Sequence, residues 1–540
     1  MLLHSSEAQE LASRSAAVLH LIDAWRLDAN RQLDARRKVE LGQFLTPMPV
    51  AQLMASMLEC HEPSISLLDP CAGVGSLFAA CIVELCQRPQ PPHNIHVTAY
   101  ELDPVLAAYL PETLRLCQQL CETVGIVLTG EIRQADFLES AVDAITNSLL
   151  ALMPLQPMNG IILNPPYRKL QTGSQQWTLL QQAGIKTTNL YTGFLALCMR
   201  LLEANGEMIA ITPRSFCSGS YFKPFRETLL HTMTLRRLHL FESREHAFQE
   251  DDVLQETLIL SAVKTPCTPE AATILITNTT GPTTDVVAMH TVPYHEVISP
   301  HDPQSCIRIV SDEGGQQIAK RMATLPTTLE DLGIEVSTGR VVDFRVEALL
   351  RLQPEEGTVP LLYPAHISSG EVVWPSQEVR KPGALVVTDQ SRDLLVPNEP
   401  YVLVRRFSSK EEKRRIIAVL YEPQTLSTSH IAFENHLNYF HQHGRGLDPL
   451  VAKGLTAFLN STFVDMYFRL FNGHTQVNAT DLRHMRYPTR QQLAELATRL
   501  PPGKSTQQSI DILIEEILFS MNDHEKMNPV AVNRTTPDMM

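Results

Sequence analysis

The 540-residue chain is short of basic residues: 45 Lys and Arg stand against 59 Asp and Glu, for a formal net charge of −14. A chain coated evenly with positive charge for sheathing nucleic acid is excluded, because phosphate binding draws on Lys and Arg. Long apolar runs are missing too. No stretch approaches the roughly 18 to 20 apolar residues that span a bilayer, and the N-terminus has no basic stretch leading into an apolar one. No membrane partner is expected, and the chain reads as soluble and cytoplasmic. CxxC spacing is also absent. The ten cysteines lie scattered between Cys60 and Cys306, which removes the common zinc-ligand pattern, so no metal is expected. Cys81, Cys86, Cys117 and Cys121 fall in helix-like apolar stretches, where a reduced thiol packs as a small hydrophobe.

What remains is an ordinary globular composition, 44% hydrophobic and 19% charged, in a chain too long for one core. Residues 1–40 show apolar positions at helical intervals (Leu11, Val18, Leu19, Ile22, Trp25) and read as an N-terminal helical segment. From 41 to 265, short β-rich runs at 66–69, 95–101, 160–163 and 207–212 alternate with helix-length stretches. That alternation predicts a parallel sheet covered by helices on both faces. The Thr- and Pro-rich residues 266–310 read as an irregular connection with room for a strand pair. Residues 311–521 mix short β-like and helical stretches, an α+β domain, and 522–540 form a polar tail. Charge divides unevenly: residues 311–500 hold 21 Lys and Arg against 22 Asp and Glu, so the acidity is concentrated elsewhere. Arg405, Arg406, Lys410, Lys413, Arg414 and Arg415 crowd one short window, which reads equally well as a solvated face.

Four strand ends carry chemistry. The first β-run ends in Asp69 and turns through Pro70, Cys71, Ala72, Gly73, Val74 and Gly75 into a helix, and such a turn lets a ligand approach bare backbone. Alone it could be a simple strand-to-helix turn. Glu101 ends the next run, at the distance expected for a carboxylate that grips ribose hydroxyls. Asp136 and Phe137 follow a further β-like run between these and residue 160, where a carboxylate can accept an adenine amino group and an aromatic can face the ring. A GxGxxG phosphate fingerprint is incomplete, since no third glycine is in place. Together these ends form a nucleoside-binding pattern at the carboxyl edge of an α/β sheet.

The fourth run ends in Asn164, Pro165, Pro166 and Tyr167. Two prolines remove two backbone donors, so acceptors dominate beside the Asn amide. Such a loop can take both N–H groups of one amine and favour a pyramidal nitrogen whose lone pair is no longer spread into a base ring. Tyr167 offers a face for an extruded base.

The ordered set GQFLTP (42–47), DPCAGVG (69–75), YELD (100–103), ADF (135–137) and NPPY (164–167) resembles the adenine-N6 DNA methyltransferases of type II restriction–modification systems. The resemblance covers about residues 35–265. It implies a Rossmann-like class I methyltransferase sheet followed by a target-recognition domain. By the resemblance, Thr46, Asp69, Gly73, Gly75, Glu101, Asp136 and Phe137 hold S-adenosyl-L-methionine. Asn164 and the Pro165 carbonyl bind the target amine, and Tyr167 stacks on the flipped adenine. A second aromatic would be Phe248, ahead of a last strand at 253–260. GHTQVNATDLRHMRYP (473–488) resembles a segment closing the recognition region, where Gln476, Asn478, Arg483 and Arg486 can read base edges or phosphates. A polar turn capped by Thr480 or Asp481 is the plainer reading of that segment. Residues 168–189, with Trp177, read as a long loop that either orders over the flipped base or stays a surface loop.

The implied partners are double-stranded DNA and a separately encoded cognate endonuclease. Asn159 departs from the family pattern, which commonly has Asp before the NPPY strand. Cytosine-N4 methylation uses the same amine logic. Protein glutamine-N5 methyltransferases share NPPY but are much shorter, and a non-catalytic DNA-binding subunit would leave an intact ligand set unexplained. A cytosine-C5 enzyme would need a Pro-Cys catalytic loop, whereas Pro70-Cys71 lies in the glycine turn and Pro266-Cys267 in the connection.

Overall fold

The computed structural model describes residues 5–34, 44–146, 157–241, 257–265, 272–279, 288–299, 302–310, 313–368, 370–376, 379–408, 412–423, 428–471, 476–501, 503 and 505–519. The chain divides into two compact units, Met1–Asp312 and Glu313–Met540. None of the described helices is long and apolar enough to cross a membrane.

The first unit is built on a sheet whose nine described strands are β1 (Ser64–Asp69), β2 (Asn94–Tyr100), β3 (Val127–Arg133), β4 (Met158–Leu163), β5 (Leu202–Pro213), β6 (Thr234–Phe241), β7 (Thr257–Val263), β8 (Thr273–Thr279) and β9 (Ala288–Pro293). Their order across the sheet is β3, β2, β1, β4, β5, β7, β6, β8, β9. Strands β1 to β5 run parallel, whereas β7 is antiparallel to both its neighbours. The all-parallel sheet read from the alternation is therefore a mixed one. A hairpin partner needs no helical crossover, and the β6-to-β7 link gives no such rhythm in the sequence.

Successive residues of a strand face opposite sides, and the two cores follow that rule. Leu67, Ile162, Ile209, Ile211 and Ile259 join one core with helices Ser5–Gln32, Met48–Ala55, Ser76–Cys86 and Leu110–Thr123. Leu68, Ile161, Leu163, Met208 and Leu258 join the other with helices Phe137–Thr146, Leu190–Leu201 and Lys223–Thr232. Both faces are covered, so the inner strands are apolar almost throughout. The N-terminal helix is fastened to this unit by Tyr109, which donates to Asp28 at 2.8 Å and packs 6.2 Å from the Trp25 ring.

The strand pair for which residues 266–310 left room is there as β8 and β9, antiparallel to each other, and it continues the main sheet through the parallel pairing of β8 with β6. Thr and Pro mask a two-residue period in which Ile274 and Ile276 are buried. Asn159 sits at the start of β4, where its amide accepts from the Ser66 N–H at 2.8 Å and donates to the Ser64 carbonyl at 2.9 Å. It fastens β4 to β1.

The second unit is α+β. Strands Glu335–Thr338, Leu437–His441, Tyr401–Arg405 and Ala418–Tyr421 form one sheet in that order. A second sheet is centred on Thr358–Leu362, which pairs with Ala384–Val386 and His430–Phe433. Helices Pro449–Leu459, Thr462–Phe471, Arg490–Arg499 and Gln507–Leu518 share a core with the first sheet. Several arginines of the basic window are engaged within this unit. Arg415 is 1% exposed, bonded to Ser408 and 5.9 Å from the Phe468 ring. Arg405 and Arg406 donate to backbone carbonyls.

Candidate active site at the carboxyl edge of the sheet

The strand order reverses between β1 and β4: β2 and β3 lie on one side of β1, and the chain then returns to place β4 on the other. Ligands of open α/β sheets bind in the crevice outside such a switch point. Here the crevice is a cleft of about 150 Å³. Its lining includes Gly73, Glu101, Asp136, Phe137 and Asn164, contributed by the ends of all four strands.

The turn after β1 forms the floor. Gly73 and Gly75 have φ of +59° and +95°. A Cβ at Gly75 would stand 2.7 Å from both Phe78 and Thr113, so no other residue fits that position. Gly75 also caps helix Ser76–Cys86. Glu101 holds the turn, accepting from the Gly73 N–H and the Asp103 N–H, each at 2.8 Å. Asp69 lies beneath, fully buried, and its Oδ2 has no hydrogen-bond partner among the described residues. Burial pushes the Asp69 carboxyl up to about 8, with the nearby Glu101 charge adding to the shift. Burial raises Glu101 too, against the pull of its N–H donors.

Asp136 begins helix Phe137–Thr146 and accepts the Leu138 N–H at 2.8 Å. Phe137 is 2% exposed and packs against Tyr100 and Phe194, each at 5.4 Å, so its ring belongs to the core as well as to the cleft wall. Leu102, 55% exposed in the same wall, escaped the reading of the motif because an apolar residue between two acids carries no signal of its own. Arg168 and Gln176 also line the cleft. The 168–189 segment contains helix Gln175–Gln182, capped by Ser174, where a long loop was expected. Its Leu180 is buried against Gly193.

On the other side, Asn164 donates to the Phe44 carbonyl at 2.8 Å and to the Thr46 hydroxyl at 3.0 Å. Thr46 thus meets the NPPY loop. Pro165 is buried. The half-buried Tyr167 donates its hydroxyl to the Ile211 carbonyl at 3.0 Å, and its ring lies 5.7 Å from that of Phe44. Phe44 is a further cleft residue that the motif reading left unassigned. Phe248 falls outside the described residues.

In the second unit, Gln476 pairs with Phe407 through a backbone bridge. Asn478 and Asp481 form a reciprocal capping box on helix Ala479–Arg483. Arg483 donates to the Val336 carbonyl at 2.7 Å, and Arg486 is exposed. Asn478 and Arg483 therefore have tasks within the fold.

The family profile of the Eco57I restriction-modification methylases matches residues 158–248, from β4 onward. The type II methyltransferase M.PstI of Providencia stuartii is 40% identical over 93% of this chain and 97% of its own length. The type II methyltransferase M.BsuBI of Bacillus subtilis is 40% identical over 93% of this chain and 98% of its own. Among solved structures, the type IIG restriction endonuclease BpuSI has a TM-score of 0.41 and 13% identity over 90% of this chain and 64% of that protein. With identity at that level along nearly the whole of two relatives, the chain belongs to the type II methyltransferases of restriction–modification systems.

Proposed function

We propose that this methyltransferase modifies the N6 amine of an adenine flipped out of double-stranded DNA, with S-adenosyl-L-methionine as methyl donor. The observation that carries the reading is the arrangement at Asn164, whose amide nitrogen is engaged by Phe44 and Thr46 while its Oδ1 is left to accept. An amine conjugated to a base ring is a poor nucleophile; acceptors on both of its N–H groups draw it toward a pyramidal form with a localised lone pair. Asn164 Oδ1 and the Pro165 carbonyl are the two acceptors, and Tyr167 offers a ring to the extruded base.

The cleft fits the cofactor. Gly73 lines the cleft with bare backbone beside Glu101, and Asp69 Oδ2 beneath the turn is a buried carboxyl oxygen with no hydrogen-bond partner among the described residues. Glu101 would hold the ribose and Asp136 the adenine amino group, between the apolar walls of Leu102 and Phe137. Two carboxyls held above their ordinary range by burial suit a ligand of positive charge, which favours their ionised form. When bound, S-adenosyl-L-methionine supplies an electrophilic methyl group on a sulfonium. The protein orients the amine, excludes water from the apolar cleft and accepts the amine's hydrogen bonds.

The second unit, from Glu313, is the proposed target reader, with the half-buried Gln476 and the exposed Arg486 as its candidate contacts. A separately encoded endonuclease of the same specificity is the expected functional counterpart. The test is expression in a host without DNA methylation, followed by long-read sequencing. N6-methyladenine at one sequence context is expected, and Asn164→Ala should abolish it. Recovery of N4-methylcytosine instead would overturn the base assignment.

A further inference from the structure

Two segments far from it in sequence converge on Asn164. Its Nδ2 donates to the Phe44 carbonyl at 2.8 Å and to the Thr46 hydroxyl at 3.0 Å. Its backbone carbonyl accepts from Cys71 Sγ at 3.1 Å. A primary amide has two N–H donors and one carbonyl acceptor. The Phe44 carbonyl can only accept, which fixes the end of the amide that is nitrogen. Both donors are then engaged. Oδ1 is the group left over, and it accepts no hydrogen bond among the described residues.

We infer that Thr46 is a positioning residue for methyl transfer: with the Phe44 carbonyl, its hydroxyl locks the Asn164 amide so that Oδ1 alone faces the target amine. The inference rests on the proposed amine methylation. It gives Thr46 a task different from the cofactor contact that the family resemblance implies. The orientation matters because an amide turned end for end aims its N–H groups at the N–H groups of the amine, and the two sets repel. Thr46 is only 6% exposed, so water is a poor substitute for its hydroxyl oxygen. The segment also reaches Tyr167, since the Phe44 ring packs against the tyrosine ring. One short element thus steadies both the acceptor and the stacking face.

Thr46→Val keeps the shape and removes the acceptor, whereas Thr46→Ser keeps the acceptor. The readouts are single-turnover methylation of duplex DNA at saturating S-adenosyl-L-methionine, and cofactor affinity by titration calorimetry. The Val variant should lose about tenfold or more in the methylation rate, as expected when a half-buried donor is left unmatched. Its cofactor affinity should stay at the wild-type value. The Ser variant should keep most of the rate, which a mere packing defect at this site would not predict. Parallel loss of cofactor affinity and rate in the Val variant overturns the inference in favour of a cofactor contact. A wild-type rate in that variant overturns it outright. If the unaltered protein methylates no DNA, the proposed function itself fails and takes the inference with it.

Discussion

Asp69 ends β1 fully buried, with a carboxyl pushed from 3.8 up to about 8 by desolvation and by Glu101. The folded protein therefore holds a proton that the unfolded chain releases at much lower pH. For an acid raised in this way, the stabilisation is complete below the unfolded value, declines as pH rises, and is fully lost above the folded one. Asp69→Asn is neutral at every pH and lacks that dependence. In thermal melts without cofactor, the variant should gain stability relative to the wild type steadily between about pH 4 and 8, and no further above that range. A constant difference across the range would show that Asp69 is ionised in the fold. The carboxylate end of β1 was legible in the sequence because a strand stops at it and a glycine turn follows. Its protonation was not, since the burial is a product of the fold, which brings Cys81 and Cys198 from two helices within reach of its charge. Thr46 marks the same boundary: its place in GQFLTP is plain in the sequence, whereas its bond to Asn164, 118 residues away, exists only in the fold.

Helix Lys223–Thr232 shows what a whole element can owe to one side chain. Its Arg226 is fully buried, and Nη1 donates to the carbonyls of Phe216, Ser218 and Gly219 at 2.9 to 3.0 Å. Nε and Nη2 both reach the Gln304 carbonyl. The planar fork therefore ties the turn after β5 to the segment that leaves β9. Arg226→Met removes every one of these donors and leaves buried carbonyls unmatched, at a cost of about 3 kcal/mol or more in chemical denaturation. Arg226→Lys should restore little, because one ammonium cannot span both carbonyl sets. A Lys variant as stable as the wild type would contradict the fork. Strands β1, β2, β4 and β5 were readable as elements because each contains a short apolar run closed by a turn or a polar cluster, whereas β3 is half exposed and carries Glu131 and Arg133. Strands β8 and β9 showed only as room for a pair, their bounds and their place in the main sheet hidden by the Thr- and Pro-rich residues around them, and helix Gln175–Gln182 was obscured by a polar sequence whose one fully buried anchor is Leu180. A cap that acts locally needs only adjacent residues, as at Asp103, whose carboxylate accepts the Val105 N–H just past Pro104.

At the scale of the molecule, charge is the property to explain. The chain carries −14 overall, yet residues 311–500 are nearly neutral, with 21 Lys and Arg against 22 Asp and Glu. The 40% identity to M.PstI spans 93% of the chain, so the resemblance is not confined to the catalytic sheet. Several arginines of the second unit are committed to its own backbone, among them Arg405, Arg406 and Arg483. The phosphate contacts of the proposed DNA complex must come from the remaining exposed cations, of which Arg486 is one. Each phosphate neutralised releases counterions, and the logarithm of affinity falls with the logarithm of salt by about 0.9 per contact. A cleft built from buried carboxyls, glycine backbone and apolar walls has no such atmosphere to release. Raising salt from about 50 to 200 mM should weaken duplex binding by at least about tenfold, while cofactor affinity barely moves. Arg486→Ala should reduce the salt slope by about one contact and leave the cofactor titration unchanged. Duplex affinity as insensitive to salt as cofactor affinity would mean that this chain does not hold DNA through its phosphates, and the second unit would lose its proposed role.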